Sequence, residues 1–192
     1  MINNDKLTSK KLSRTLDALQ VDNDWTLYLD RDGVINNLIE NNYVKNVSEF
    51  ILTEFIKANI KFLSKKFRHI IVITNQQGVG KKLMTEKQLI EIHQYMVEMI
   101  KNYGGRIDKV LYCTDLENTG SKRRKPEIGM GLESLMLYPE IIKKKSVMIG
   151  DSISDKLFAK EFGINFILLS KQNYNKKILA VIKAPNIKRI VG

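Results

Sequence analysis

Residues 27–36 read Leu-Tyr-Leu-Asp-Arg-Asp-Gly-Val-Ile-Asn, an apolar run that ends in two aspartates one residue apart. This pattern predicts a buried strand whose carboxyl end delivers Asp30 and Asp32 into a turn at the edge of a sheet. Two neighbouring carboxylates at a buried position repel each other and lose their hydration, so a cation or a reaction must account for them. The rest of the chain is therefore interpreted outward from this pair.

The composition is that of one globular domain with a surplus of basic residues. The chain has 192 residues, of which 43% are hydrophobic, and a formal net charge of +11. No apolar run is long enough to span a bilayer, and the N-terminal residues lack the apolar segment of a signal peptide, so a cytoplasmic protein is predicted. The basic surplus indicates either an anionic partner, such as a phosphorylated metabolite or nucleic acid, or a solvated lysine-rich surface.

Apolar runs alternate with helical patterns along most of the chain. Helical periodicity separates five predicted strands, at residues 25–29, 69–73, 109–112, 146–149 and 165–169. This alternation predicts an α/β protein, a three-layer Rossmann-like fold with a central parallel sheet. We expect a helical extension over residues 1–24, a main α/β domain over 25–170, and a basic tail over 171–192 that packs on the same domain or trails from it.

Further polar clusters lie at the ends of the predicted strands. The second strand runs into Thr74 and Asn75 and a glycine-rich turn, the fourth is followed by Asp151 and Asp155, and Lys125 lies in a basic segment between the third and fourth. A hydroxyl, an amide and a glycine-rich turn are suited to binding a phosphate. A single aspartate after a strand is equally typical of a helix N-cap, but ligands of parallel sheets bind where all the carboxyl ends meet.

The four clusters resemble the motifs of the haloacid dehalogenase superfamily of phosphatases. Residues 30–36, 74–75, 125–126 and 150–155 match its first to fourth motifs. The patterns Asp-Arg-Asp-Gly-x-Ile-Asn, Thr-Asn-Gln-x-Gly and Arg-Lys-Pro-x-x-Gly-Met are most similar to the branch of heptose bisphosphate 7-phosphatases and histidinol phosphatases. The resemblance covers residues 25–170 and leaves both ends of the chain outside it.

The resemblance implies the roles of the acidic residues. Asp30 would attack phosphorus and form an aspartyl-phosphate, and Asp32 would act as general acid and then as general base. Close carboxylates separate their pKa values, which predicts a protonated Asp32 beside an ionised Asp30. Mg²⁺ would be held by Asp30, the backbone carbonyl of Asp32, and Asp151.

The resemblance also assigns the residues around the phosphoryl group. Thr74, Asn75 and Lys125 would hold its oxygens and offset charge in the transition state. Arg124 would contact the remainder of the substrate. Asp155 would orient Lys125 or a metal-bound water rather than ligate the metal directly.

One stretch departs from the pattern of this branch, which usually carries a zinc loop of three cysteines and a histidine before the Arg-Lys-Pro motif. Cys113 is the only cysteine of the chain. Because one thiol cannot build a structural zinc site, we predict no zinc and a shortened loop. His69 and His93 lie outside every motif and are interpreted as structural.

The expected function is a Mg²⁺-dependent phosphomonoesterase acting on a small phosphorylated sugar such as D-glycero-D-manno-heptose 1,7-bisphosphate. The intervals between the motifs leave no space for a cap domain, which predicts a capless, open site covered only by loops such as Asn37–Asn46. The alternatives are a histidinol-phosphate phosphatase, a polynucleotide 3′-phosphatase, which the lack of an aromatic-rich basic groove disfavours, and a non-catalytic phosphate-binding module. A monomer without membrane contact is expected.

Overall fold

The structure is a computed structural model that describes residues 4–169 and 179–182, with the side chains of residues 9–169. Its helices are α1 (Asn4–Ala18), α2 (Glu54–Lys66), α3 (Gln77–Gly80), α4 (Glu86–Asn102), α5 (Gly129–Leu137) and α6 (Ile153–Phe162). Its strands are β1 (Thr26–Leu29), β2 (His69–Asn75), β3 (Lys109–Cys113), β4 (Ser146–Gly150), β5 (Asn165–Leu169) and β6 (Leu179–Ile182). Among the described residues, no helix combines the length and the apolar character needed to cross a bilayer.

The strands form one sheet in the order β3-β2-β1-β4-β5-β6. The first five are parallel, as predicted, and β6 is antiparallel to β5. The strand β6 was not predicted, because residues 179–182 were assigned to the basic tail. The remaining residues of that predicted tail lie outside the described part of the chain.

Alternation along the strands divides the core into two layers. Leu27 and Leu29 belong to a cluster on the face covered by α1, α2 and α4, whereas Tyr28 belongs to a cluster on the face covered by α5 and α6. Successive side chains of a strand point to opposite faces, so a strand buried on both sides is apolar at every position. This explains the continuous apolar runs and confirms the three-layer α/β fold.

The helices begin where the sequence provides caps. Thr85 and Gln88 form a capping box at the start of α4, and Ser152 and Asp155 form another at the start of α6. In such a box each side chain accepts a hydrogen bond from the backbone N–H of the other residue and satisfies an otherwise unpaired donor. The second box matters for the site, because it fixes the orientation of a buried aspartate beside the carboxyl end of β4.

Candidate active site

The strand order reverses at β1, which pairs with β2 on one side and with β4 on the other. A reversal of this kind leaves a crevice outside the carboxyl ends of the strands, where α/β proteins bind ligands. Asp30 follows β1, Thr74 and Asn75 end β2, and Asp151 follows β4. The fold therefore brings three of the four sequence motifs to one edge of the sheet.

The turn after β1 requires glycine at its centre. Gly33 has φ of +86°, and a Cβ atom there would lie 2.0 Å from Oδ2 of Asp151. The N–H of Gly33 donates to the carbonyl of Asn36 at 2.7 Å, and the N–H of Asn36 donates to the carbonyl of Arg31 at 3.0 Å. Only glycine accepts this backbone conformation without strain, so Gly33 allows the first motif to lie directly against the fourth.

A buried ammonium joins the first, third and fourth motifs. Lys125 Nζ donates to Oδ1 of Asp30 at 2.7 Å, to Oδ1 of Asp155 at 2.6 Å and to the carbonyl of Ile73 at 2.8 Å. These bonds use all three hydrogens of the ammonium. Burial alone would lower the pKa of Lys125, but the charges of Asp155 and Asp30 raise it above its ordinary value. Lys125 is therefore a permanent cation that donates to the side chains of both Asp30 and Asp155.

The carboxylate of Asp155 is fully buried and holds two parts of the site together. Its Oδ1 accepts from Lys125, while its Oδ2 accepts from the N–H of Asp151 at 3.2 Å and from the hydroxyl of Ser152 at 2.7 Å. The sequence analysis assigned Asp155 to orienting Lys125. The contact needed for that role is present, and the same carboxylate also fixes the backbone of Asp151.

The side-chain amide of Asn75 is hydrogen-bonded to the backbone of Lys125. Its Nδ2 donates to the carbonyl of Lys125 at 2.9 Å, and its Oδ1 accepts from the N–H of Lys125 at 2.9 Å. From the resemblance, this amide was expected to bind the phosphoryl oxygens. Lys125 lies in a segment without helix or strand partners, so its backbone groups need side-chain partners, and Asn75 provides both.

The carboxylate of Asp32 accepts hydrogen bonds from two residues of the first motif and from Gln76, which directly follows the second motif. Oδ1 accepts from Arg31 Nη2 at 3.0 Å and from Asn36 Nδ2 at 2.9 Å, and Oδ2 accepts from Gln76 Nε2 at 2.7 Å. The same Gln76 nitrogen lies 2.8 Å from Oγ1 of Thr74. Gln76 thus links the two residues to which the resemblance assigns proton transfer and phosphate binding.

The two aspartates of the first motif have opposite pKa shifts. Burial and the nearby charge of Asp155 raise the pKa of Asp30 to about 8, although Lys125 opposes them. Burial would also raise the pKa of Asp32, but the charge of Arg31 and three hydrogen bonds lower it below its ordinary value. This order is the reverse of the expected protonated Asp32 beside an ionised Asp30, because the sequence did not reveal that Arg31 is buried against Asp32.

Three carboxylates provide a donor set for a divalent cation. Ligand oxygens of Asp30, Asp151 and Asp155 all lie within 4.8 Å of one another. Among the described residues, Lys125 is the cation that pairs with Asp30 and Asp155, and burial and the charge of Asp155 raise the pKa of Asp30. Mg²⁺ prefers carboxylate oxygens, so the residues present fit a hard cation at this position.

Arg124 lies at the end of a loop that is closed by hydrogen bonds to its own side chains. The hydroxyl of Ser121 donates to Oδ2 of Asp115 at 2.5 Å and accepts from the N–H groups of Arg123 and Arg124 at 3.2 and 3.3 Å. Arg124 Nη1 donates to the carbonyl of Asp115 at 3.4 Å. The Ser121 hydroxyl and the thiol of Cys113 lower the pKa of Asp115, which is therefore an ionised anchor for this loop.

The short helix α3 lies between two loops at the carboxyl edge. A Cβ atom on Gly78 would come within 3.1 Å of the ring of Tyr43, and one on Gly80 would come within 2.4 Å of the carbonyl of Thr114. Lys81 Nζ also donates to the hydroxyl of Tyr43 at 3.1 Å. The loop Asn37–Asn46 and the loop after β3 therefore both rest on α3.

Sequence reasoning missed the residues that surround Asp32. Arg31 is fully buried and His93, on α4, lies 3.2 Å from it, although His93 was interpreted as remote from every motif. Gln76 is also fully buried. One signal was available: Arg31 continues the alternation of Leu27 and Leu29, which places its side chain on the face that α4 covers.

Comparisons with known proteins agree with this site. Residues 21–175 match the family model described as polynucleotide kinase 3 phosphatase. The D-glycero-alpha-D-manno-heptose-1,7-bisphosphate 7-phosphatase of Mycobacterium bovis is 35% identical over 131 residues, which cover 68% of this chain and 69% of that protein. The D-glycero-beta-D-manno-heptose-1,7-bisphosphate 7-phosphatase of Neisseria meningitidis is 33% identical over 129 residues, covering 67% of this chain and 68% of the relative.

A solved structure shares the architecture. The D,D-heptose 1,7-bisphosphate phosphatase of B. bronchiseptica, crystallised with magnesium and phosphate, superimposes with a TM-score of 0.69 at 27% identity. The match covers 75% of this chain and 79% of that one. Fold and site together define a hydrolase of the haloacid dehalogenase superfamily. Within that superfamily the chain belongs to the polynucleotide kinase 3 phosphatase family, and it is a phosphatase. The alternative of a non-catalytic module is therefore not retained.

Proposed function

We propose that this phosphatase is a Mg²⁺-dependent phosphomonoesterase that forms an aspartyl-phosphate and acts on a heptose 1,7-bisphosphate. The observation that carries the proposal is the pair at the end of β1. Asp30 accepts a hydrogen bond from the buried ammonium of Lys125 at 2.7 Å. Asp32, two residues further along the chain, accepts from a different set of donors that includes Arg31 and Gln76. Two carboxylates in different electrostatic surroundings are suited to a nucleophile and an acid–base residue.

The chain's own residues account for both half-reactions. Asp30 attacks phosphorus, the bond between phosphorus and the ester oxygen breaks, and Asp32 transfers a proton to the leaving oxygen. Asp32, now ionised, takes a proton from water, whose oxygen attacks the aspartyl-phosphate and releases inorganic phosphate and free Asp30. Thr74 and Lys125 stabilise the negative charge on the transferring phosphoryl oxygens.

Mg²⁺ would be held by Asp30, the backbone carbonyl of Asp32, and Asp151, with Asp155 orienting a bound water or Lys125. When bound, it supplies positive charge that ionises Asp30 and neutralises the phosphoryl oxygens. The relative of known structure binds magnesium and phosphate, which supports this assignment. A phosphoryl dianion beside Asp32 raises the pKa of that carboxyl, which favours the protonated acid in the first half-reaction.

The substrate assignment rests on the relatives and on the shape of the chain. Both curated relatives described above act on heptose 1,7-bisphosphate by name, one on the alpha and one on the beta anomer. Between β1 and β2 lie a loop with a short 3-10 helix (Val47–Glu49) and α2, and between β2 and β3 lie α3 and α4, so neither of these two intervals contains a cap domain. Arg124, anchored by the Asp115 loop, is the residue we assign to the part of the substrate beyond the phosphoryl group.

A polynucleotide 3′-phosphatase is the second candidate, because the matching family model carries that description and the crevice is open. Histidinol phosphate remains the other small-molecule alternative. The cytoplasmic location and the monomeric state expected from the sequence stay predictions.

Release of phosphate from the two anomers of heptose 1,7-bisphosphate tests the proposal, with histidinol phosphate and a 3′-phosphorylated oligonucleotide alongside. We expect Mg²⁺-dependent release from one heptose anomer, and none from the Asp30→Asn variant. Preferential, salt-sensitive release from the oligonucleotide would replace the sugar assignment by the polynucleotide one. Release that persists in Asp30→Asn would contradict the aspartyl-phosphate mechanism.

A further inference from the structure

His93 makes a buried polar contact that no motif accounts for. It lies on α4, is 6% exposed, and its Nε2 is 3.2 Å from Nη1 of Arg31. The ring also packs against Tyr112, with 5.3 Å between the ring centroids. A polar ring that is held on one side by an aromatic residue and on the other by a buried cation has little freedom to turn.

The direction of the hydrogen bond follows from the partner. A guanidinium group has five donors and no acceptor, so Nε2 of His93 accepts and the ring proton is on Nδ1. Burial and the charge of Arg31 lower the pKa of His93 to about 3, so the ring is neutral at physiological pH. His93 is therefore a fixed acceptor for Arg31 and not a second cation.

Arg31 connects His93 to the side chain of Asp32. Its other terminal nitrogen, Nη2, donates to Oδ1 of Asp32 at 3.0 Å. Its Nε has no hydrogen-bond partner among the described residues, and the side chain is fully buried. With so few partners, the plane of the guanidinium is set mainly by His93 on one side and Asp32 on the other.

We propose that His93 is a positioning residue, which orients the Asp32 carboxyl for proton transfer to the leaving group by fixing the guanidinium of Arg31. This inference rests on the proposed function, because it requires Asp32 to be the general acid. It assigns a role to α4, which contributes no residue to the four motifs. Asn36 and Gln76 still hold Asp32 in place, so loss of His93 misaligns the acid rather than releasing it.

A misaligned general acid slows the hydrolysis of some esters more than others, whereas a general loss of structure slows the hydrolysis of all of them. An alkyl leaving group, such as the glycerol of glycerol phosphate, needs a proton as the bond to phosphorus breaks. The phenolate of para-nitrophenyl phosphate leaves with little need for one. The ratio of kcat/KM for these two esters therefore reports on the acid, because kcat/KM covers steps only up to the first phosphoryl transfer.

The experiment compares the full chain with His93→Phe, which keeps a ring against Tyr112 but removes the acceptor, and with His93→Gln, which restores an acceptor. The matched control is His69→Phe, because His69 pairs with Glu140 at the opposite, N-terminal end of β2. In His93→Phe we expect kcat/KM for glycerol phosphate to fall about tenfold more than kcat/KM for para-nitrophenyl phosphate. The ratio should recover in His93→Gln and stay at the wild-type value in His69→Phe.

An unchanged ratio in His93→Phe, with both rates reduced equally or not at all, would overturn the role of His93. If that variant does not fold by circular dichroism, His93→Leu provides the same comparison. A wild-type protein that releases phosphate from neither these esters nor the heptose bisphosphates would instead remove the proposed function, on which this inference rests. If only the heptose bisphosphates are cleaved, the same variants are compared by kcat/KM on that substrate, where a loss in His93→Phe that His93→Gln does not restore would also overturn the role of His93.

Discussion

Replacing Asp30 by asparagine should stabilise the protein in the absence of metal while it abolishes phosphatase activity. Asp30 is 8% exposed and its carboxyl has a pKa raised to about 8. The folded protein therefore holds a proton on Asp30 more tightly than the unfolded chain does. Its free energy of unfolding falls as the pH rises from about 4 through 8, because ionised Asp30 is unfavourable in the fold.

The expected gain in the free energy of unfolding follows from the shift in the pKa of Asp30. A rise from 3.8 to about 8 corresponds to roughly 6 kcal/mol of unfavourable free energy above pH 8. The asparagine amide needs new partners in the same buried position, which offsets about 2 to 3 kcal/mol of the gain. We expect a net stabilisation of about 3 kcal/mol at pH 8, or ~9 °C in Tm for a chain of this length. Near pH 5 the two proteins should melt at about the same temperature, because most of the penalty is then absent.

Thermal melts of the wild type and Asp30→Asn at several pH values, with EDTA and then with Mg²⁺, measure this directly. Mg²⁺ should raise the Tm of the wild type and raise that of the variant much less. Asp24→Asn is the control, because Asp24 is exposed and its substitution should leave the melt unchanged. A variant that melts at or below the wild type at pH 8, with no dependence on pH, would refute the argument that an ionised Asp30 is unfavourable in the fold.

Three further substitutions test other parts of the site. Lys125→Met removes the cation between two buried carboxylates, so urea titration should show a loss of about 3 to 5 kcal/mol, and phosphate release should become undetectable. Gly33→Ala introduces a Cβ atom 2.0 Å from Oδ2 of Asp151 at a φ of +86°, so activity and Tm should both fall, and an unchanged Tm would contradict the crowding described for this turn. Asp115→Ala frees the loop that anchors Arg124, so KM for a sugar bisphosphate should rise about fivefold with kcat retained, as expected for one lost hydrogen bond.

The five parallel strands were predictable because each is a continuous apolar run that ends in polar or glycine residues. Their predicted bounds agree with the structure within two residues. The strand β6 was not predictable in the same way. It is only four residues long, it lies in a lysine-rich stretch, and it pairs antiparallel with β5, so the alternation of strands and helices does not indicate it.

The site was predictable as far as it depends on strand ends. Asp30, Thr74 and Asp151 lie at one edge of the sheet because parallel strands bring their carboxyl ends together there. The contact between Arg31 and His93 joins residues 62 positions apart and depends on how α4 is rotated over the sheet, which no local pattern specifies. The lowered pKa of Asp32 was not predictable for the same reason, since it depends on that buried guanidinium.

The position of α3 between two loops has a consequence for how substrate preference can change. The loop Asn37–Asn46 contacts α3 at Gly78, and the loop after β3 contacts it at Gly80, two residues further along the same short helix. A substitution that moves α3 to accommodate a larger group on one loop withdraws support from the other loop. We therefore expect related phosphatases with different substrates to differ in both loops together rather than in one alone.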